Sequence, residues 1–94
     1  MSHTRTDDQL HYARIVGRNI RRLRTEQHLS GQQLADATNT TSHPLYRSAI
    51  SEIETGGARR GVTVDQLMAL AAALGTTPAD LLTDLDANTP EPPQ

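Results

Sequence analysis

The stretch "TNTTSHPLYRSAISEIETGG", residues 38–57, changes character at its middle. Its first part, Asn39 to His43, is polar and lacks periodicity, as a loop does. Further on, Ile50 and Ile53 stand three residues apart, the spacing that lines one face of a helix, with Tyr46 and Ala49 expected to adjoin that face. Pro44 suits the first turn of such a helix, because its missing N–H would be unpaired there in any case; Ser42 or His43 is then the cap. Thr55-Gly56-Gly57 supplies the pliable backbone of a C-terminal cap. A short helix anchored on two isoleucines turns Arg47, Ser48 and Ser51 outward near its front.

The rest of the chain reads as a scaffold for that helix. A first helix is predicted from about Leu10 or Tyr12 to Gln27, with Val16, Ile20 and Leu23 on one face and Arg14, Arg18, Arg21, Arg22 and Arg24 on the others. Five arginines in that span cannot all be buried. Ser30 caps a second helix from Gly31 to about Thr38, with Leu34 and Ala35 turned inward. Thr63 and Gln66 have the spacing of a capping box, opening a helix whose apolar stripe is Leu67, Leu70, Ala71 and Leu74 and which Gly75 stops. Thr77, Pro78 and Asp80 announce a fifth helix with Leu81 and Leu82 to pack. The expected fold is all-α, a compact five-helix bundle over residues 12–85. A polar N-terminal arm (1–11) and a Pro-rich acidic tail (86–94) flank it, both expected to be mobile.

Composition agrees with close helix packing. The hydrophobic fraction is 35%, with no Phe, no Trp and two Tyr, so the core is built from short aliphatic side chains rather than the aromatic and β-branched residues of a sheet. Cysteine is absent, which excludes disulfides and thiolate chemistry. The longest apolar run, "LMALAAALG", is too short to cross a bilayer, and the N-terminus lacks the apolar stretch of a signal peptide, so a cytoplasmic protein with no membrane partner is expected.

The net charge of −2 conceals a gradient. Residues 1–13 sum to −1, residues 14–60 to +4 and residues 61–94 to −5; all nine basic residues are Arg, and none follows Arg60. A basic face and an acidic end therefore coexist, and a basic face is what docking on phosphate requires. Catalysis finds no support: the four His have no metal-ligand spacing, no Gly-rich loop follows a strand, and no cofactor, metal or enzymatic function is expected.

Four segments together resemble the Cro and phage-repressor class of helix-turn-helix proteins, the xenobiotic-response-element family, over about residues 15–82. "VGRNIRRLR" is similar to the family's Ile-Gly-x-x-Ile-x-x-Leu-Arg opening, and "LSGQQLA" to its Leu-Ser-Gln-x-x-Leu-Ala second helix. "AISEIETG" is similar to its Ile-Ser-x-Ile-Glu-x-Gly helix end, and "VTVDQLMALAAALGTTPADLL" to its fourth and fifth helices. Two departures stand out. Gly31 occupies the place where the family usually has a Gln that bonds phosphate and braces the recognition helix, leaving Gln32 or Gln33 as the substitute. The spacing from Leu34 to Ile50 is also longer than the family's, so that an enlarged loop, residues 39–46, replaces the tight turn.

The resemblance implies a lambda-repressor-like domain that lodges its third helix in the major groove of double-stranded DNA. Arg47, Ser48 and Ser51 are then the candidates for base reading, Arg47 through a fork that matches guanine O6 and N7. Arg14, Arg18, Gln32, Gln33, Thr41, Ser42, His43, Arg59 and Arg60 are candidates for phosphate. The resemblance also pairs Arg24 with Glu54 as scaffold, while Glu52 either accepts from cytosine N4 or faces water. The function expected is a sequence-specific transcriptional regulator, a repressor binding a palindromic operator as a homodimer. The alternative is a protein-binding module or antitoxin component that uses the same fold as an interaction surface through its acidic C-terminal third.

Overall fold

The computed structural model describes residues 2–55 and 61–83, with side chains from His11 onward. Five α-helices follow in order: α1 Ser2–Glu26, α2 Gly31–Ala37, α3 Arg47–Glu54, α4 Val64–Leu74 and α5 Pro78–Leu82, with a 3-10 turn at Thr38–Thr40. Helix α1 packs on α3, α4 and α5, and α2 packs on α3 and α4. The core they enclose is aliphatic: Val16, Ile20, Leu34, Leu45, Ile50, Ile53, Leu70, Leu74 and Leu81 are buried together.

Local chemistry places the helix starts. Ser30 accepts from Gln33 N–H while the Gln33 side chain accepts from Ser30 N–H, a reciprocal capping box at α2; Thr63 and Gln66 repeat it at α4. Thr77 caps α5 through Asp80 N–H, with Pro78 in the first turn, and Gly75 ends α4 in the left-handed conformation at φ 71°.

The helix ends depend on α1. The buried Asn19 amide donates to Leu81 O at 2.8 Å and Thr83 O at 2.9 Å, closing the C-terminus of α5. Gln27 Nε2 likewise donates to Leu74 O at 2.8 Å, at the end of α4. Carbonyls that a short helix leaves unpaired are thus satisfied by side chains of the longest one and of the turn that follows it.

Four expectations change. Helix α1 begins at Ser2, so the 2–11 segment read as an arm is helical; no Gly or Pro precedes Gly17 to interrupt it. Helix α3 begins at Arg47, not at Pro44, and Tyr46 is its N-terminal boundary with no side-chain cap. The reason lies in Leu45, which is buried and whose N–H donates to the buried Thr38 hydroxyl at 2.8 Å; that contact holds the chain extended through Tyr46, beyond the proline. Tyr46 consequently faces outward, 83% exposed, instead of adjoining the inner face. Leu82 is also exposed, and Leu81 is the buried residue of α5. The 86–94 tail and the Gly56-Gly57 cap lie outside the described residues.

Candidate nucleic-acid interface

Helix α3 is held by its apolar side and open on the other. Ile50 and Ile53 are buried in the bundle, whereas Arg47, Ser48, Ser51 and Glu52 are exposed. Arg47 is exposed and makes no hydrogen bond or ion pair among the described residues, so all of its donors are unengaged. An open groove of about 730 Å³ lies between α2 and α3, bordered by Arg47, Ser48, Ser51, Gln32, Asn39 and Tyr46. The structure thus brings the three base-reading candidates to one surface, together with Gln32 from the neighbouring helix.

The connection between α2 and α3 is built from hydroxyls. Thr38 Oγ1 donates to Ala35 O at 2.6 Å and accepts from Leu45 N–H, which ties both ends of the loop to one buried atom. Thr41 Oγ1 donates to Thr38 O at 2.6 Å and accepts from His43 N–H at 3.2 Å. Its single proton is engaged inside the loop, so Thr41 differs from the exposed Ser42 and the half-buried His43 as a phosphate donor. Gln33 differs in turn, since its oxygen completes the α2 cap while its amide N–H donors make no bond among the described residues. The Gln32 amide donates to Asp36 at 2.9 Å.

Behind α3, Arg24 and Glu54 form a bidentate pair, Nε to Oε2 at 2.6 Å and Nη2 to Oε1 at 3.0 Å, and Arg24 Nη1 also donates to Leu29 O at 2.8 Å. The hydrogen bond to the carboxylate raises the guanidinium pKa above its ordinary value, so the cation persists at any pH at which a protein is handled. The pair joins α1 to the end of α3, and the bond to Leu29 O joins it to the turn ahead of α2. It also occupies both oxygens of Glu54, removing a carboxylate that would otherwise compete for nearby cations.

A second hollow, of about 240 Å³, lies where α1 meets the end of α3, and Arg14, Arg18 and Arg21 border it with Glu54 and Thr55. Arg14 and Arg18 are therefore together, as their one-turn spacing predicts. Sequence reasoning missed Arg21 as a member, although its spacing of three from Arg18 and seven from Arg14 carried the signal. It also missed Tyr46 and Asn39 at the groove; nothing in the local sequence distinguishes an outward tyrosine from a core one. Arg59 and Arg60 lie outside the described residues. Among the described residues no cluster of His, Asp or Glu is arranged to hold a metal, and no helix is long and apolar enough to cross a membrane.

No curated protein matches the chain. A family model described as helix-turn-helix matches residues 20–81, which run from the last two turns of α1 to α5 and include the whole α2–α3 unit. The match is to a family of DNA-binding regulators rather than of enzymes. Two helices joined across a groove, the second presenting an unengaged arginine, and a match over most of the bundle lead to one conclusion: the chain belongs to the helix-turn-helix family of the Cro/C1, xenobiotic-response-element type, and is a DNA-binding regulator of transcription.

Proposed function

We propose that this protein is a repressor that reads a near-palindromic operator as a homodimer, in the cytoplasm, with α3 as the reading helix. The observation that carries the proposal is Arg47: exposed at the first position of α3, without a partner among the described residues, on a helix whose other face is fixed by Ile50 and Ile53. A guanidinium so placed takes guanine O6 and N7 together, for about 1–3 kcal/mol of discrimination. Ser48 and Ser51 stand beside it as shorter donors.

Arg14, Arg18, Gln32, Gln33, Ser42, His43, Arg59 and Arg60 serve in this reading as phosphate contacts, which give salt-dependent affinity without sequence information. Thr41 contributes through the loop that presents its neighbours. Two copies related by a twofold axis present their α3 helices about 34 Å apart on one side of the duplex. Dimerisation is supported by an apolar surface remote in sequence from α3: exposed Tyr12, Met68 and Leu82, with Tyr12 and Leu82 bordering a hollow lined by Val16, Val62 and Leu67.

Selection of bound duplexes from a random pool at fixed salt tests the proposal. A symmetric consensus with half-sites one helical turn apart is the expected outcome, and Arg47→Ala should relax preference at one position of each half-site by about tenfold. Uniform weakening on every duplex would make Arg47 a phosphate contact, and no consensus at all would remove sequence-specific repression. Sedimentation of the free protein reports the dimer directly.

A further inference from the structure

Gly31 opens α2 with helical backbone, so no left-handed conformation requires a glycine there. Glycine in a helix is otherwise unfavourable by up to about 1 kcal/mol relative to alanine. What lies beside it is the side chain of Arg47: a Cβ built on Gly31 would lie 3.8 Å from Arg47 Cγ and 3.9 Å from Arg47 Nε, and among the described residues no other side chain beyond its chain neighbours comes within 4 Å. The arginine stem thus lies along the bare start of α2, in contact range of any side chain placed there.

The hollow around this contact explains why the guanidinium is not drawn down into the protein. Arg24, Gly31, Arg47, Ile50, Ser51 and Glu54 border it. Glu54 is the only carboxylate among them, and both of its oxygens are held by Arg24. Arg47 is therefore supported along its stem while its charged end keeps all of its donors.

We propose that Gly31 is the positioning residue for Arg47: the absence of any side-chain atom beyond the Cβ position at the first residue of α2 leaves the space in which the arginine stem lies, and so sets the direction of its guanidinium and the base pair it reaches. The proposal rests on the reading of Arg47 as a base-reading residue. A methyl group at position 31 meets the stem at ordinary contact distance. A β-branched side chain fills two of the three staggered positions on Cβ and crowds the stem out.

The test compares wild type, Gly31→Ala, Gly31→Ile, Arg47→Ala and the Gly31→Ile/Arg47→Ala double variant, by fluorescence anisotropy on the selected operator and on its single-base variants, with melting temperatures measured alongside. Gly31→Ala should discriminate as wild type does. Gly31→Ile should lose about tenfold of discrimination at the same base pair as Arg47→Ala. Its salt dependence on non-specific DNA should be unchanged, and the double variant should be no worse than Arg47→Ala alone. A scaffold role alone would lower the melting temperature without touching one chosen base pair.

Wild-type discrimination in Gly31→Ile, with Arg47→Ala relaxed, overturns the role of Gly31 and leaves the base-reading assignment standing. Wild-type discrimination in Arg47→Ala overturns both. Should Gly31→Ile fail to fold, Gly31→Val, β-branched but smaller, answers the same question, and retained discrimination in that variant overturns the proposal. In the free protein, 15N relaxation at the Arg47 Nε–H is expected to show order in wild type and in Gly31→Ala that is lost in Gly31→Val.

Discussion

His28 is the one residue other than glycine in the described chain with positive φ, at 59°. It follows α1 where the chain reverses, with Leu29 N–H donating to Arg24 O at 2.9 Å and His28 N–H to Thr25 O at 3.0 Å. A side chain with a Cβ is strained there by about 1–2 kcal/mol, part of which glycine gives back as unfolded-state entropy. His28→Gly should therefore stabilise the domain by about 0.5–1 kcal/mol, raising the melting temperature by roughly 2–8 °C. An unchanged or lower value would mean that the imidazole makes a compensating contact. The sequence held no sign of this residue, because histidine is ordinary at a helix terminus and only backbone geometry singles it out.

Between elements, two contacts decide how α3 is presented. Gly17 lies where α1 crosses α3; a Cβ there would overlap the Ile53 carbonyl oxygen and sit 3.2 Å from that of Glu54. These are backbone atoms and cannot rotate aside, so Gly17→Ala must push the helices apart. It should destabilise by on the order of 3 kcal/mol, read as a fall in melting temperature of at least about 12 °C. The second contact is Thr38, whose hydroxyl accepts the Leu45 N–H. Thr38→Val keeps the shape but leaves that buried donor unpaired, which costs about 1–3 kcal/mol. Operator affinity is expected to fall with stability, because the same bond holds the chain extended up to the start of α3; denaturant titration and anisotropy check the two effects separately. If stability falls while operator affinity stays, the loop does not control the approach of α3.

Across the whole molecule, the charge gradient is the property that reaches the duplex first. Eight of the nine arginines lie between residues 14 and 60, and Arg14, Arg18 and Arg21 converge on one hollow although the chain is acidic overall. If Arg14 neutralises one phosphate, Arg14→Ala should lower affinity on all sequences alike and reduce the slope of log K against log salt by about one. Anisotropy from low to moderate salt measures it. An unchanged slope would assign Arg14 to solvent.

Much of this molecule follows from local rules that act within a few residues. Ser30, Thr63, Thr77, Pro78 and Gly75 mark where α2, α4 and α5 begin or stop, because caps and left-handed glycines satisfy backbone groups one turn away. The burial of Val16, Ile20, Leu34, Ile50, Ile53, Leu70 and Leu74, and the outward course of Arg47, Ser48 and Ser51, follow from helical periodicity alone. Only the tertiary structure decided that α3 waits until Arg47, that Tyr46 is outside, that Asn19 and Gln27 close other helices, and that Gly31 lies under the stem of Arg47. Each of those depends on atoms distant in the chain meeting in space: a buried hydroxyl seven residues away, carbonyls more than forty residues on, a helix crossing. No short window of residues encodes such a meeting, because the energy that fixes it is released only when the core closes.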